Sequence, residues 1–239
     1  MHHEPRTTND SRGCLCVVAT PIGNLKDLSL RAIETLKAAD LIACEDTRHA
    51  AILLHAYDIR VPTTSYHGYS GPGKAARLLD RLREGRRVAL ISDAGLPGIS
   101  DPGTALIHQA LEAAIPVEVI PGASAGLMAL ILSGFPTDRF VFEGFLPVKP
   151  GARRRRLTQL VEEPRTVIFY ESPHRMMKIL SDILEVFGDI PLSVSRELTK
   201  HFEETRREQV SRLLEHFGAH APKGEFVVVL PPQRLRVHG

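Results

Sequence analysis

The chain has little with which to hold nucleic-acid bases by stacking, since its 239 residues include no tryptophan and only 5% aromatic residues. Any contact with RNA is therefore expected to use phosphate charge and shape rather than extensive stacking. A formal net charge of +2 is too small to indicate nucleic-acid binding by itself. That interpretation depends on where the basic residues lie.

Cysteine is also scarce. The three cysteines, Cys14, Cys16 and Cys44, form no C-x-x-C pair and leave an odd residue over. This pattern argues against a disulfide framework and against a zinc site. A reducing cytoplasm is the expected compartment.

Long hydrophobic runs are missing. The longest, Ala125 to Leu132, is far shorter than the ~20 residues that span a bilayer, and residues 1–13 lack the apolar segment of a signal peptide. The sequence predicts neither export nor a membrane partner. With 43% hydrophobic and 24% charged residues, the chain has the composition of a globular protein of one large or two smaller domains.

Phosphate-binding fingerprints are absent too. The sequence contains neither G-x-G-x-x-G nor G-x-x-x-x-G-K-[ST], and Pro21 and Pro97 each remove a backbone donor from a loop where phosphate would be held. A di- or triphosphate ligand is therefore disfavoured, whereas a small zwitterion with a few polar groups still fits.

The most informative stretch that is present runs from Val88 to Gly103. A short buried strand passes directly into a loop with three glycines, two prolines and two Ser-Asp pairs. In open α/β sheets ligands bind just beyond the carboxyl ends of strands, so this loop is the first site candidate. The alternative is a βα turn whose aspartates cap a helix.

Five strands alternate with helices in the first half of the chain, which predicts a parallel α/β sheet. The predicted strands span Cys14–Thr20, Asp40–Cys44, Thr63–His67, Val88–Ile91 and Pro116–Ile120. A second set begins beyond Gly134 and predicts a mixed sheet, with strands at Phe140–Phe145, Thr166–Tyr170, Leu192–Arg196 and Glu225–Leu230. Helices are predicted near Arg153–Glu162, Arg175–Phe187 and Arg207–Phe217. The resulting organisation is a disordered tail at 1–12, α/β domains at 13–122 and 123–231, and a tail at 232–239.

A charged cluster, Glu45, Asp46 and Arg48, follows the second predicted strand and is the second site candidate. A helix N-terminus would favour the two acids but leaves the arginine unexplained. Four consecutive arginines, Arg153, Arg154, Arg155 and Arg156, follow Lys149. If a helix starts near Gly151, they occupy its first turn, where the helix dipole disfavours cations. The run is either a solvated charge run or a contact with an RNA backbone.

Several long motifs occur in a fixed order along the chain: V-A-T-P-I-G-N-L at Val18–Leu25, E-D-T-R at Glu45–Arg48, S-D-A-G-x-P-x-I-S-D-P-G at Ser92–Gly103, P-T-D-R-F at Pro136–Phe140, G-F-L-P at Gly144–Pro147 and F-Y-E-S-P-H-R at Phe169–Arg175, with R-E-L-T-K and K-G-E after them. Together they closely resemble the rRNA small subunit methyltransferase I family of the tetrapyrrole methylase superfamily. The resemblance covers about Leu15 to Leu230.

The resemblance implies a class III methyltransferase with two α/β domains and S-adenosylmethionine in the cleft between them. It also implies a homodimer that methylates the 2'-oxygen of a cytidine ribose in the decoding region of 16S rRNA, within the small ribosomal subunit. The motif matches imply the following cofactor-binding residues: Asp93, Ala94, Gly95, Ser124, Ala125, Tyr170, Glu171, Lys223, Gly224 and Glu225.

One departure from the family pattern affects the predicted catalytic residues. Family members often have Y-H-E-H-N where this chain has Tyr66-His67-Gly68-Tyr69-Ser70, so any role in activating the ribose hydroxyl is shifted to His67 or to the cluster at Glu45, Asp46 and Arg48. Glu45, Asp46 and His67 are the candidate bases, unranked, and no metal is expected. The rival functions are methylation of a tetrapyrrole carbon and RNA binding by a non-catalytic assembly factor.

Overall fold

The computed structural model describes residues 13–68 and 70–235. The chain divides into two compact units, the first ending at Ala123 and the second beginning at Ser124. The predicted tail at 1–12 and residues 236–239 lie outside the described residues. Within the predicted tail at 232–239, Gln233–Leu235 form a short 3-10 turn. The domain limits drawn from the sequence stay a prediction.

A parallel five-stranded sheet forms the centre of the first unit, in the spatial order β3-β2-β4-β1-β5. Its strands are β1 (Cys14–Val18), β2 (Leu41–Cys44), β3 (Thr63–Ser65), β4 (Arg87–Leu90) and β5 (Val117–Ile120). The predicted α/β sheet is confirmed. The predicted first strand is too long, because beyond Val18 the chain leaves the ladder and Thr20 pairs with Gly95 instead.

Helices cover both faces of this sheet. They are α1 (Leu30–Lys37), α2 (Thr47–Ala56), α3 (Pro72–Arg83) and α4 (Thr104–Glu112). Leu36 and Leu53 place α1 and α2 on one face, whereas Leu82 and Leu106 place α3 and α4 on the other. Since helices cover both faces, the central strand β4 is almost wholly apolar, and the loop that follows it emerges at the middle of the sheet edge.

The second unit contains a mixed five-stranded sheet in the order β6-β7-β10-β8-β9. Its strands are β6 (Phe140–Phe145), β7 (Thr166–Glu171), β8 (Pro191–Arg196), β9 (Glu204–Gln209) and β10 (Phe226–Leu230). Only β6 and β7 are parallel neighbours in this sheet; the other adjacent pairs are antiparallel. The carboxyl ends of β6, β7 and β8 therefore share one edge with the start of β10.

Four helices complete this unit: α5 (Ala125–Ser133), α6 (Pro150–Gln159), α7 (Met176–Phe187) and α8 (Val210–Ala219). Leu157, Ile179 and Leu213 show that α6, α7 and α8 pack on one face of the sheet, and α5 lies on the other. Among the described residues, no helix is both long and apolar enough to cross a membrane.

The predicted helix Arg207–Phe217 is wrong over its first turn. Residues 207–209 complete β9, which pairs with β8 along its whole length. The helix pattern of Val210, Leu213 and Phe217 begins only after Gln209. Charged side chains support the strand, because Arg206 forms ion pairs with Glu204 at 3.1 Å and Glu208 at 2.6 Å on the same face of β9.

A buried ion network joins α6 to α7. Asp182 and Arg153 each have only 4% of their side-chain surface exposed, and the Arg153 Nε donates to Asp182 Oδ2 at 2.6 Å. Arg154 Nε donates to the other carboxylate oxygen at 2.8 Å. The Arg153 Nη1 also donates to the Val148 carbonyl at 3.1 Å. Asp182 is thus the counter-charge that makes burial of Arg153 tolerable.

We expect Asp182→Ala to cost about 3–5 kcal/mol of unfolding free energy, because it leaves the buried Arg153 guanidinium uncompensated. The matched control is Glu185→Ala, since Glu185 meets Arg154 at 3.0 Å but has 57% of its side chain exposed. The control should cost well under about 1 kcal/mol. Urea denaturation followed by circular dichroism measures both, and equal losses would contradict a special role for the buried pair.

Candidate functional site

Backbone pairing fixes the loop after β4 to the end of β1. Thr20 N–H donates to the Gly95 carbonyl at 2.9 Å, and Gly95 N–H returns a bond to Thr20 at 3.2 Å. The buried Thr20 hydroxyl also donates to the Ser92 carbonyl at 3.0 Å. Gly95 adopts φ +82°, a conformation that a residue with a Cβ rarely takes. Thr20 was not predicted as a site residue, because its only signal in the sequence is its place in the motif at the end of the first predicted strand.

Asp101 holds the far half of this loop together. Its Oδ1 accepts from Gly98 N–H at 3.2 Å and Gly103 N–H at 2.7 Å. Thr104 Oγ1 donates to the Gly98 carbonyl at 3.1 Å, which closes the same turn. Ser100, just before Asp101, adopts φ +55°, a left-handed conformation that is uncommon for a residue other than glycine. Asp101 therefore shapes the loop.

Asp93 differs from Asp101 because it does not bind the amides of its own loop. Its Oδ1 accepts one long bond, from the Asp46 backbone N–H at 3.4 Å. Within the part of the chain that the structure describes, neither Asp93 nor Ala94 uses its N–H in a backbone hydrogen bond, whereas Gly95 N–H is taken by Thr20. A carboxylate beside unused amides can hold a small zwitterion by its cationic and its anionic ends.

The acidic cluster lies next to this loop, at the carboxyl end of β2. Asp46 caps α2, accepting from the Arg48 backbone N–H at 2.8 Å, and its Oδ2 meets the Arg48 guanidinium at 2.9 Å. These contacts lower the pKa of Asp46 to about 2. The Arg48 side chain is 90% exposed. The helix N-terminus interpretation is thus correct for Asp46, and Arg48 is explained as its ion partner.

The pKa of Glu45 is shifted in the opposite direction from that of Asp46. It is half-buried, and burial together with the charges of Asp93 and Asp101 raises its pKa, while His67 acts in the opposite direction. The charges of His67, Asp93 and Asp101 thus each act on Glu45. Glu45, His67 and Asp93, which were predicted from three different strand ends, therefore lie at one edge of the sheet.

The segment that departs from the family pattern forms a tight turn beside this edge. Ser70 Oγ accepts from the His67 N–H at 2.9 Å, and Ser70 N–H donates to the His67 carbonyl at 2.7 Å. Tyr69 lies outside the described residues. Ser70 therefore fixes the backbone of His67, a role that its residue type alone did not indicate.

In the second unit, Tyr170 is close to the first turn of α5. A Cβ added at Gly126 would lie 3.5 Å from the Tyr170 hydroxyl oxygen, and the Phe142 ring packs edge-on against Tyr170 with centroids 5.0 Å apart. Burial raises the pKa of Tyr170. Ser124 is the N-cap residue of α5, and its side chain accepts no capping bond. Ser124 and Ala125 therefore lie at the start of the helix whose Gly126 is close to Tyr170.

The side chain of Glu171 is buried. None of its side-chain surface is exposed, and it forms an ion pair with Arg175 at 3.3 Å. One carboxylate oxygen accepts from the Ser172 N–H at 2.7 Å, and burial raises the pKa of the group. Because the side chain is buried, the predicted contact of Glu171 with the cofactor is left to its backbone and stays a prediction.

The K-G-E and R-E-L-T-K motifs interlock. Gly224 has φ +88°, and a Cβ there would lie 2.5 Å from the Glu197 side chain. Glu197 Oε1 accepts from the Glu225 N–H at 3.0 Å and from Lys200 Nζ at 2.9 Å. Lys200 also meets Glu225 at 2.9 Å. Glu197 and Lys200 are thus residues of this loop that the predicted site, Lys223 to Glu225, omitted.

The arginine run is mostly neutralised from within the second unit. Arg153 is buried against Asp182, Arg154 is paired with Asp182 and Glu185, and Arg156 meets Glu143 at 2.6 Å. These residues lie beyond the first turn of α6, which starts at Pro150. Arg153 is therefore wrong as an RNA contact, because it is buried. Lys149 and Arg155 are exposed, and no ion pair to either occurs among the described residues.

Comparison with known proteins identifies relatives over most of the chain. Residues 15–214 match the family model of the Tetrapyrrole (Corrin/Porphyrin) Methylases. The chain is 49% identical over 219 residues to the Ribosomal RNA small subunit methyltransferase I of Synechocystis sp., covering 91% of this chain and 78% of that protein. It is 44% identical over 218 residues to the protein of the same name from Thermotoga maritima, covering 91% and 98%.

Solved structures show the same fold at low identity. Uroporphyrin-III-C-methyltransferase from Thermus thermophilus aligns with a TM-score of 0.65 and 23% identity, over 95% of this chain and 98% of the other. At that identity the likeness concerns the fold alone.

We expect Asp101→Ala to destabilise the protein by about 1–3 kcal/mol, because the Gly98 and Gly103 amides lose their acceptor. Asp101→Asn keeps an oxygen in the same place and should retain most of the stability. Denaturant unfolding compares the two variants with the parent. Equal losses would show that the charge, rather than the loop geometry, is what matters.

Proposed function

The chain belongs to the tetrapyrrole (corrin/porphyrin) methylase family, and on that premise we propose that it methylates the 2'-oxygen of a cytidine ribose in the decoding region of 16S rRNA. The observation that carries the proposal is the 49% identity, over 91% of the chain, to a protein named for rRNA methylation. The proposed methyl donor is S-adenosylmethionine, and the proposed substrate is the small ribosomal subunit in the cytoplasm. A homodimer is part of the same proposal, and sedimentation at two concentrations tests it.

The residues after β4 fit the methyl donor by their chemistry. S-adenosylmethionine carries an ammonium group and ribose hydroxyls, which a carboxylate with spare acceptor capacity can receive, and a carboxylate, which backbone amides can receive. Asp93 and the amides of Asp93 and Ala94 offer both kinds of group. Gly95 contributes its conformation, since its own amide is bonded to Thr20. Ser124, Ala125, Tyr170, Lys223, Gly224 and Glu225 stay predicted contacts.

Glu45 is the proposed base. Ribose hydroxyls are weak acids, so methyl transfer to oxygen gains from a group that takes the proton as the bond forms. Asp46 is unsuited because Arg48 and the α2 amides hold its pKa at about 2. The raised pKa of Glu45 makes its carboxylate the stronger base of the two. His67 lies near enough to interact with Glu45 electrostatically and is the second candidate.

Bound S-adenosylmethionine supplies the electrophilic methyl group. The chain's residues are proposed to align the ribose oxygen with that methyl, and alignment supplies much of the rate. Lys149 and Arg155 are exposed and have no ion pair among the described residues, so these two stay the proposed contacts with the RNA backbone.

The experiment that tests the reaction supplies labelled S-adenosylmethionine with small ribosomal subunits from a strain lacking the protein. The expected product is 16S rRNA that yields 2'-O-methylcytidine on digestion. Label on a base rather than a ribose would overturn the 2'-O assignment. Label in a corrinoid precursor and none in the rRNA would support tetrapyrrole methylation, whereas RNA binding without any methyl transfer would support an assembly factor.

Asp93→Ala should abolish binding of S-adenosylmethionine in calorimetry, because the ligand's cationic group loses its carboxylate partner. Asp101→Asn is the matched control, since it removes a neighbouring negative charge but keeps the loop's hydrogen bonds. It should bind within a few-fold of the parent. Unchanged affinity in the Asp93 variant would exclude this loop as the cofactor site.

Glu45→Gln should lower kcat by about 100-fold or more while leaving cofactor affinity within a few-fold. The base acts in its ionised form, so the parent's activity should rise with pH through the raised pKa of Glu45, and the variant should lose that limb. Asp46→Asn is the control and should keep it. A variant pH profile identical to that of the parent would argue for His67.

A further inference from the structure

A second cluster of ligating side chains lies at the opposite edge of the first sheet from the loop after β4. Cys14 and Cys16 are two residues apart on β1, so their side chains share one face of the strand. Glu118 on β5 stands directly beside Cys16 in the parallel register. The two sulfurs and a Glu118 carboxylate oxygen all lie within 4.8 Å of one another.

The spacing of these atoms matches a metal site. Tetrahedral zinc with Zn–S bonds of about 2.3 Å holds two thiolate sulfurs about 3.8 Å apart. The Cys14 and Cys16 sulfurs are 3.9 Å apart. The C-x-x-C pair that the chain lacks is a spacing typical of turns, whereas in a strand the C-x-C spacing places two thiols on the same face.

The surroundings give the cluster an access path and a counter-charge. Cys16 is buried and Cys14 partly so, while Glu118 has 47% of its side chain exposed, which leaves an approach from solvent. Arg87, beside Cys14 on β4, places its Nη2 3.6 Å from the Cys16 sulfur and 3.8 Å from Glu118 Oε2. The Arg87 guanidinium is itself a cation held by these ligands, which shows that the position attracts positive charge. The side chain would have to move aside when a metal ion binds.

We propose that Cys14, Cys16 and Glu118 bind one zinc-like divalent cation through two thiolates and one carboxylate. Such a mixed sulfur and oxygen set suits borderline-soft Zn²⁺ better than Mg²⁺ or Ca²⁺, which take oxygen ligands. Three protein ligands leave one coordination position open to solvent. The site is independent of the proposed methyl transfer, because none of its residues belongs to the loop after β4 or to the acidic cluster.

The test titrates the full chain with Zn²⁺ against a chromophoric chelator and then with Cd²⁺, whose thiolate charge-transfer band reports sulfur ligation. His2 and His3 are replaced by alanine throughout, so that N-terminal histidines cannot contribute. We expect one ion per chain. Cys14→Ser should weaken binding about 100-fold or more and remove most of the thiolate band, and Glu118→Gln should weaken binding about tenfold or more while keeping the band.

Two further variants sharpen the outcome. Cys44→Ser is the matched control, since Cys44 is also a free cysteine but lies outside the cluster, and it should bind as the parent does. Arg87→Gln should bind several-fold tighter, because it removes the competing cation. The proposal is overturned if the parent binds no stoichiometric ion, if Cys14→Ser binds as tightly as the parent, or if Arg87→Gln binds no tighter.

Discussion

The reciprocal backbone bonds between Thr20 and Gly95 are the constraint on which the first unit's site depends. They join the residues after β1 to the loop after β4, and these two strands are neighbours in the sheet. Gly95 N–H is used in this pair, whereas the neighbouring amides of Asp93 and Ala94 make no backbone hydrogen bond to any residue that the structure describes. The Thr20 hydroxyl adds bonds to the Ser92 and Gly95 carbonyls, so the beginning of the loop is held by groups far away in the chain.

The carboxylates at this edge of the sheet differ in their surroundings. Burial is the main reason that the pKa of Glu45 is raised, and the like charges of Asp93 and Asp101 add to it. Arg48, the arginine of the acidic cluster, is instead paired with Asp46 and exposed to solvent. The pKa of Asp46, the next residue, is lowered. The two adjacent carboxylates therefore have different proton affinities, because Asp46 is bonded to the Arg48 guanidinium and to the α2 amides, whereas Glu45 is half-buried beside other carboxylates.

The sequence was sufficient for the α/β architecture because buried strands and amphipathic helices leave regular hydrophobic patterns, as β4 and α8 show. The site was predictable as far as strand order brought the ends of β2, β3 and β4 to one edge. The role of Asp101, the burial of Glu171 and the pairing of Arg153 with Asp182 were not predictable, because each depends on a partner distant in sequence. Strand β9 was misread since its charged residues carry no apolar alternation.

That same strand has a consequence for how the molecule behaves among copies of itself. β9 is an edge strand, and an open edge presents unpaired backbone groups to which a strand of another chain can add. Its six residues, Glu204 to Gln209, include four charged side chains, and Arg206 is paired on either side with glutamate. A strand of another chain that paired with β9 would have its side chains beside these charged groups, and removing the charges from water would cost free energy. The charged residues that made β9 difficult to predict thus also disfavour edge-to-edge pairing of this sheet with another chain.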